Sequence, residues 1–257
     1  MATLRLTDVK KFFNKGLNNE IPALNGINLT IETGEFIVIA GPNGSGKSTL
    51  LNAIAGDISY EGSILYKDTY ELAEKKNYEI ARFIARVYQD PERGIIPNAS
   101  VAENIAVSCI RGRKPGWTKK AVTKEWLKGI EEELGKLGIG LEKKLAETAM
   151  NLSGGQKQIL AVFMIMKSRP LILLLDEHVA SLDEKNSNLC MELTARFIAE
   201  ANITTFMVTH NLSHARSYGD KLVIMRDGKI HHIFNKVKKE QLSFDMIINQ
   251  LGYWQSN

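Results

Sequence analysis

Residues 36–49 read Phe36-Ile37-Val38-Ile39-Ala40-Gly41-Pro42-Asn43-Gly44-Ser45-Gly46-Lys47-Ser48-Thr49, an apolar run followed by a glycine-rich loop. The continuous apolar run predicts a strand that is buried on both faces, as in a parallel sheet. The residues after the loop, 49–55, have the pattern of a helix. A buried strand, a glycine loop and a helix in this order predict an α/β domain with a ligand site at the loop.

The loop satisfies the pattern G-x-x-x-x-G-K-[ST], whose glycines let backbone N–H groups approach phosphate oxygens closely. The positive end of the following helix favours an anion at the same place. Lys47, a predicted catalytic residue, would reach the β- and γ-phosphates of ATP, and the Ser48 hydroxyl would ligate Mg²⁺. The alternative is a glycine turn without a ligand. The predicted nucleotide-binding residues of the loop are Gly41, Asn43, Gly44, Ser45, Gly46, Lys47, Ser48 and Thr49.

A second apolar run, at residues 171–175, ends in the acidic pair Asp176-Glu177. The pair is therefore predicted at the carboxyl edge of a central strand, where open α/β sheets bind ligands. Asp176 is placed to hold Mg²⁺, and Glu177 to polarise a water for in-line attack on the γ-phosphate. The alternative is an acidic turn at the surface. The presence of the phosphate loop in the same chain favours the catalytic interpretation.

The rest of the chain alternates strand and helix patterns, which argues for a mostly parallel α/β sheet. A helix-rich block between residues 90 and 156 interrupts this alternation and is predicted to be an inserted subdomain. The tail, residues 241–254, is amphipathic and predicted helical. Further strands are predicted at Leu4–Val9, Ile27–Ile31, Ile84–Tyr88, Thr204–Val208, Leu222–Met225 and Lys229–Phe234.

Composition excludes little but sets limits. The chain has 257 residues and a formal net charge of +4, too mild by itself to indicate nucleic-acid binding. The basic stretch Arg111 to Lys120 is interpreted as a solvated loop rather than a nucleic-acid site. Cys109 and Cys190 are far apart, so neither a zinc site nor a disulfide framework is indicated. No run reaches the roughly 18 apolar residues of a membrane span, and Met1 to Lys11 lacks the apolar core of a signal peptide.

The sequence Asn151-Leu152-Ser153-Gly154-Gly155-Gln156 contains LSGGQ and resembles the signature of ABC ATPases. The resemblance implies a P-loop NTPase of the ABC ATPase fold, with a RecA-like mixed-sheet core, an N-terminal antiparallel β subdomain and an inserted α-helical subdomain. Ser153 is predicted to begin the helix that follows, so hydroxyl, N–H groups and dipole form an anion site. In that family the site faces the γ-phosphate of a second subunit, which implies that Ser153, Gly154, Gly155 and Gln156 contact ATP in a head-to-tail dimer.

Other matches to the family extend along most of the chain. Gln89 matches the glutamine that links Mg²⁺ and the attacking water to the helical subdomain, and Asp183 matches the loop that crosses the dimer interface. His210 matches the histidine that contacts the γ-phosphate. Phe13 matches the aromatic residue that stacks on adenine, although the adjoining Phe12 is the alternative. The resemblance thus implies catalytic roles for Gln89 and His210, metal binding by Gln89, and nucleotide contacts by Phe13, Gln89 and Asp183.

Two departures from the family pattern occur. The usual Pro-Thr pair after the glutamate is His178-Val179, and the signature is followed by Lys157-Gln158-Ile159 instead of a run ending in Gln-Arg. His178 could titrate near the nucleotide; packing is the favoured interpretation. Every residue expected to touch phosphate, metal or water is intact, so an active ATPase is predicted.

The resemblance predicts one domain over residues 1–257, divided into a core with β subdomain (1–89 and 157–234), a helical signature subdomain (90–156) and a C-terminal helical tail (235–257). It implies a peripheral subunit at the cytoplasmic face of the cell membrane that drives transmembrane permease subunits. The second ATPase subunit would be another copy of this chain or a close paralogue, and no nucleic acid would be bound. The cleft beside Gln89, lined by residues between Asp90 and Ile105, is expected to receive a short permease helix.

More narrowly, Gln89-Asp90-Pro91, Asp176-Glu177-His178 and Val208-Thr209-His210-Asn211 resemble one bacterial importer branch. Its ATPases accompany a permease of the branched-chain amino acid type and an extracytoplasmic substrate-binding protein, and some members are linked to tryptophan or tyrosine uptake. Two alternatives stay open. One is the ATPase of an exporter or of a lipoprotein-extracting complex, because the N-terminal stretch, with its Gly16 loop and Ala23-Leu24, also resembles those ATPases. The other is a non-transport ABC protein acting on DNA or ribosomes.

Overall fold

The computed structural model describes residues 2–110 and 122–251. The basic stretch Arg111 to Lys120 and the end of the predicted tail helix therefore lie outside the described residues. The strands, in chain order, are β1 (Ala2–Phe13), β2 (Ile21–Glu32), β3 (Phe36–Ala40), β4 (Glu61–Tyr66), β5 (Tyr70–Glu71), β6 (Ile84–Val87), β7 (Ile172–Asp176), β8 (Thr204–Val208), β9 (Lys221–Arg226) and β10 (Lys229–Asn235). The helices are α1 (Lys47–Ala55), α2 (Asn77–Ile80), α3 (Val101–Cys109), α4 (Lys124–Gly135), α5 (Gly154–Ser168), α6 (Glu184–Ala201), α7 (Leu212–Ser217), α8 (Lys236–Gln241) and α9 (Phe244–Leu251).

The central sheet has six strands in the order β10-β9-β3-β8-β7-β6. All neighbours are parallel except the β9/β10 pair, which forms an antiparallel edge. Every residue of β3 and β8 is buried, as are the four apolar residues of β7. Burial on both faces is why the buried residues of β3 and β7 form continuous apolar runs. In contrast, β8 begins with Thr204 and Thr205, and the Thr205 hydroxyl donates a hydrogen bond to the Ile203 carbonyl oxygen.

A second, antiparallel sheet has the order β2-β1-β4-β5. The patterns of β1 and β2 predicted those two strands, but β4 and β5 were not predicted. Ile64 is the one fully enclosed residue of β4, so this strand carries too weak an alternation for a sequence pattern to reveal it. The mixed α/β class with an N-terminal antiparallel sheet is confirmed.

The helix-rich block contains α3, α4 and the start of α5, with short 3₁₀ turns between them. Ser100 caps α3 through a capping box with Glu103, and Val101 and Ile105 are fully enclosed on the face predicted to be apolar. Asn104, also enclosed, accepts a hydrogen bond from the Ile96 N–H at 2.7 Å and donates to the Ile96 carbonyl oxygen at 3.0 Å. These bonds fix the segment that leads from the central sheet into α3.

The C-terminal helices pack beside α7 and β9. Lys239 of α8 is buried, and its Nζ donates hydrogen bonds to the carbonyl oxygens of Tyr218 and Gly219. Ile247 of α9 is fully enclosed in the main apolar core. None of the helices within residues 2–110 and 122–251 combines the length and apolar character that crossing a bilayer requires.

Candidate active site

The glycine loop joins β3 to α1 at the carboxyl edge of the central sheet. Gly46, directly before α1, has φ 97°, and a Cβ at this position would lie 2.3 Å from the Ala23 carbonyl oxygen. Only glycine fits such a backbone conformation and such a close approach. The loop is therefore folded so that the backbone N–H groups at the start of α1 are free of intrahelical partners, which is the arrangement that binds anions.

Lys47, the first residue of α1, has its side chain tucked against the loop. Its Nζ donates hydrogen bonds to the carbonyl oxygens of Gly41 and Pro42, each at 2.9 Å. Burial lowers the pKa of Lys47, while the nearby carboxylates of Glu177 and Asp176 act in the opposite direction. The Lys47 ammonium, for which the sequence predicts a role in phosphate binding, thus lies between the loop and the two acids.

Asp176 is the last residue of β7, and its two carboxylate oxygens have different partners. Oδ1 accepts a hydrogen bond from Ser48 Oγ at 3.4 Å, and Oδ2 lies 2.5 Å from Nη2 of Arg86. A hydroxyl and a carboxylate side by side supply the hard oxygen ligands that Mg²⁺ prefers. The residues present at Asp176 and Ser48 therefore fit the metal ion that the sequence predicted.

Glu177 follows β7 in a left-handed backbone conformation, with φ 48°. Its N–H donates to the Val208 carbonyl oxygen at 3.1 Å, which ties the end of β7 to the end of β8. His210 lies two residues beyond β8, and its Nε2 is 2.7 Å from Glu177 Oε1. A non-glycine residue at positive φ is uncommon and is retained where the surroundings hold it. Here it directs the carboxylate toward His210.

A cavity of about 300 Å³ lies over the loop and gathers residues from five separate parts of the sequence, one of them Ile21 and Ala23 of β2. Phe13 of β1, residues 43–49, Glu177 and His210 all line it. Phe13 is 40% exposed there, and Phe12 is not among the lining residues, so the structure places Phe13 rather than its neighbour at the site. The cavity thus brings together an aromatic side chain, the phosphate loop and the acid–histidine pair.

The signature residues lie at the start of α5. Ser153 Oγ accepts a hydrogen bond from the Gln156 N–H at 3.3 Å, and Gln156 Oε1 accepts from the Ser153 N–H at 3.4 Å, which completes a capping box. Gly154 and Gly155 form the first turn. Among the described residues that line the cavity over the loop, none belongs to the signature. One chain therefore does not bring its own signature to its own phosphate loop.

Asp183 caps the next helix, α6, and lies beside the signature. Its Oδ1 accepts a hydrogen bond from the Asn186 N–H at 3.0 Å, and its Oδ2 accepts from Asn186 Nδ2 at 2.6 Å. These hydrogen bonds lower the pKa of Asp183. A Cβ on Gly155 would meet the Asn186 side chain at 3.4 Å, so Asn186 connects the cap of α6 with the signature turn.

Gln89 is exposed at the bend after β6. In the part of the chain that the structure describes, the side-chain hydrogen bonds of Asp176 go to Ser48 and Arg86, not to Gln89. Sequence reasoning did not single out Arg86. The available signal was a charged residue within Ile84–Val87, a strand whose other three residues are buried.

His178 follows Glu177 in the chain and does not line the cavity over the loop. It is buried, and desolvation together with repulsion from His214 lowers its pKa to about 3. Its Nε2 has no hydrogen-bond partner among the described residues. His178 lines a cavity of about 620 Å³ with His214 and Tyr218, and Glu177 and His210 line the same cavity. His178 is thus a neutral, enclosed side chain that shares this cavity with the acid–histidine pair but is absent from the cavity over the loop.

A largely apolar groove of about 460 Å³ opens beside Gln89. Tyr88, Pro91 and Gly94 form one wall, and Met164 and Ile165 of α5 form another. The groove extends to Ser108 and Ile110, beyond the limit at Ile105 that the sequence suggested.

Comparison with known proteins gives a consistent result. The family model described as ABC transporter matches residues 24–180. A tyrosine transport ATP-binding protein of Clostridioides difficile is 35% identical over 97% of this chain and 99% of its own length. A putative hemin import ATP-binding protein of Staphylococcus aureus is 32% identical over 88% of this chain and 98% of its own length. The dimeric ATP-binding cassette MJ0796, solved in a post-hydrolysis state with ADP and Pi, superposes with a TM-score of 0.75 at 28% identity, covering 91% of this chain and 98% of that one.

Proposed function

This chain belongs to the ABC transporter family of ATP-binding subunits, which hydrolyse ATP to power transport, and we propose that it drives a bacterial importer of an amino acid. The observation that carries the proposed mechanism is the 2.7 Å contact between Glu177 and His210 at the edge of the cavity over the phosphate loop. A carboxylate oriented by a histidine beside a phosphate cradle is suited to activating a water for attack on a terminal phosphate.

Each part of the site has a proposed role in hydrolysis. The loop N–H groups and Lys47 bind the phosphates, and Phe13 stacks on the base. Ser48 and Asp176 hold Mg²⁺, which supplies charge neutralisation at the phosphates when bound. Glu177 takes a proton from the attacking water, and His210 fixes the Glu177 carboxylate and contacts the γ-phosphate. Gln89 is proposed to join the metal and the water from the side of the groove.

The second half of the nucleotide site is proposed to come from another subunit. Residues 153–156 present a helix N-terminus, a hydroxyl and the N–H groups of Gly154 and Gly155, which the capping box does not use, and this chemistry is suited to a phosphate. They lie away from the cavity of their own chain, and the related cassette is dimeric with nucleotide. A head-to-tail homodimer would place this signature, with Asp183 beside it, opposite the phosphate loop of the partner.

The apolar groove beside Gln89 is proposed to seat a short helix of the transmembrane permease. Its walls come from the segment after β6, α3 and α5, so a helix held there would touch both halves of the proposed division, residues 1–89 with 157–234 and residues 90–156. The subunit would then lie at the cytoplasmic face of the membrane. Residues 235–257 form the proposed tail, of which α8 and α9 pack on the core.

The proposed cargo rests on relatives. A protein named for tyrosine transport shares 35% identity with nearly the whole chain, and other related subunits are named for hemin or phosphonate import. Together with the motif resemblance to the branch that uses branched-chain-type permeases, this favours an amino acid, with an extracytoplasmic binding protein delivering it.

The test is to purify the tagged full chain from native membranes, identify the co-purifying permease, and reconstitute the complex in liposomes. Phosphate release should rise when the binding protein and tyrosine are added together, and labelled tyrosine should accumulate inside. Lys47→Ala serves as the inactive control. Co-purification of an exporter-type permease, or no response to any binding protein loaded with amino acid, would contradict the importer assignment.

A further inference from the structure

Arg86 carries its guanidinium into the centre of the proposed metal site. The residue lies on β6, and its side chain is 9% exposed. Nη2 lies 2.5 Å from Asp176 Oδ2, while Nη1 donates to Asn52 Oδ1 at 2.6 Å and to Asp57 Oδ2 at 3.2 Å. One cation is thus shared between the partly buried carboxylate of Asp176 at the metal site and the more exposed carboxylate of Asp57.

The same guanidinium also reaches the groove. Its Cζ lies 4.8 Å from the centre of the Tyr88 ring, and Arg93 Cζ lies 4.5 Å from that centre. Contacts of this kind between a cation and a ring face are attractive, and they strengthen where water is excluded. Arg86 and Tyr88 both line the groove proposed to receive the permease helix. Arg86 is therefore in direct contact with both the proposed metal ligand and the wall of the groove.

We propose that Arg86 is a positioning residue that competes with Mg²⁺ for Asp176 and thereby couples the metal site to the groove beside Tyr88. The proposal rests on the proposed function, specifically on Asp176 as a metal ligand. Two cations at one carboxylate repel each other, so the ion pair weakens metal binding and metal binding weakens the ion pair. An occupant of the groove that changes the Arg86–Tyr88 contact would therefore change the affinity for Mg²⁺. Because coupling between two sites is reciprocal, Mg²⁺ would change the affinity of the groove for that occupant by the same factor.

The surroundings of Arg86 allow the guanidinium to exchange partners. Asp57, whose side chain is 42% exposed, and Asn52 remain as partners for Nη1 when Asp176 binds a metal. Nε is buried and has no hydrogen-bond partner among the described residues, so the present arrangement leaves a donor unused. The Arg86–Asp176 ion pair is partly buried, and such a pair is weak evidence for a purely stabilising role, because desolvation of the two charges offsets their attraction.

The experiment measures binding of a fluorescent ATP analogue to the full chain while Mg²⁺ is varied, and determines the half-saturating Mg²⁺ concentration. Arg86→Gln removes the competing cation and should lower that concentration about fivefold or more. Asp57→Asn leaves Asp176 as the one carboxylate partner of Arg86 within residues 2–110 and 122–251, so it should raise the concentration by a similar factor. Arg93→Gln is the matched control, because Arg93 stacks on the same ring but has no contact with Asp176, and it should shift the value less than about twofold.

Hydrogen–deuterium exchange provides the second measurement, at the groove. In the unaltered chain, adding Mg²⁺ to the nucleotide-bound protein should change exchange in residues 86–94, and this change should be absent in Arg86→Gln. If that variant does not fold, as judged by circular dichroism, Asp57→Asn at the surface carries the test with its opposite sign.

The outcomes distinguish failure of the proposed function from failure of the role of Arg86. Nucleotide binding that ignores Mg²⁺ in the unaltered chain would contradict the metal role of Asp176 and the proposed function with it. A normal Mg²⁺ response that Arg86→Gln and Asp57→Asn leave within about twofold of the unaltered value would overturn the role of Arg86 alone. Loss of the exchange response in Arg93→Gln as well would assign the groove effect to ring stacking and not to Arg86.

Discussion

His210 Nε2 lies 2.7 Å from Glu177 Oε1, although 33 positions separate the two residues in the chain. The contact exists because β7 and β8 are adjacent parallel strands that end together, with Asp176 opposite Val208. The Glu177 N–H bond to the Val208 carbonyl oxygen fixes the backbone between them. The carboxylate is therefore held at the edge of the cavity over the phosphate loop before any ligand arrives.

Replacing Glu177 with Gln tests the proposed base. The amide keeps the size of the side chain but cannot take a proton, so we expect phosphate release to fall roughly 10²-fold or more. Nucleotide binding uses other groups, so ATP should still drive a stable dimer in size-exclusion chromatography. Glu200→Gln, at an exposed position of α6, is the control for charge removal. Turnover near that of the unaltered chain would contradict the role of Glu177.

Replacing His210 with Ala tests whether the carboxylate needs its partner. Without the 2.7 Å contact, Glu177 loses its fixed orientation, and we expect turnover to drop at least about tenfold. Nucleotide affinity should fall by a smaller factor, through the lost γ-phosphate contact. His232→Ala removes an exposed histidine from β10 and should leave turnover unchanged. The comparison uses steady-state phosphate release and equilibrium titration. A loss of affinity as large as the loss of turnover would assign His210 to binding instead.

Replacing Ser153 with Arg tests the signature. A long cation at this exposed helix start should block the approach of a partner subunit, so ATP-driven dimers should disappear in size-exclusion chromatography. Nucleotide binding to the isolated monomer should persist, because Ser153 does not line the cavity of its own chain. Thr123→Arg at α4 is a matched control, since Thr123 is also an N-cap residue that accepts a hydrogen bond three residues on. Equal loss of monomer binding would mean that the signature does not act across an interface.

His178 should make stability depend on pH. Its pKa is lowered from 6.5 to about 3 by burial, so between these values the unfolded chain binds more protons than the folded one. The stability from neutral His178 is complete above pH 6.5 and is lost as the pH falls below it, by up to about 1.4 kcal/mol per pH unit. Urea unfolding measures the free energy of unfolding at about pH 7.5 and about pH 5.5, and the decrease between these two values should be smaller in His178→Leu than in the unaltered chain. The exposed His232→Leu should behave like the unaltered chain, and an unchanged pH slope in His178→Leu would contradict this prediction.

Leu174→Ala tests the strand that carries Asp176 and Glu177. Leu174 is fully enclosed in β7, so truncation leaves a cavity and should lower the free energy of unfolding by about 2–5 kcal/mol. Leu171, just before the same strand, is 52% exposed, and Leu171→Ala should cost less than about 0.5 kcal/mol. Urea denaturation of both variants measures the difference. Similar costs at the two positions would show that β7 is not enclosed on both faces.

Part of the fold could be predicted from the hydrophobic pattern of the sequence, because a strand buried on both faces tends to be a continuous apolar run. The strands β3 and β7 were predicted for this reason, and the start of α5 was predicted because Ser153 is a good N-cap. The strands β4 and β5 were not predicted, since this hairpin at the edge of its sheet has a single buried side chain and little alternation of apolar and polar residues. The groove was predicted beside Gln89 but ends farther along α3 than expected.

The sequence by itself determined which chemical groups this protein carries and their order: a glycine loop with Lys47 and Ser48, an acidic pair after a buried strand, and a capped signature helix. Those features are local, so residue type and spacing encode them. The tertiary structure alone decided which groups touch. Arg86 reaches Asp176 across 90 positions, and Glu177 with His210 lines the cavity over the loop whereas the neighbouring His178 does not. Such contacts depend on strand order and on packing between distant segments, which no local pattern records.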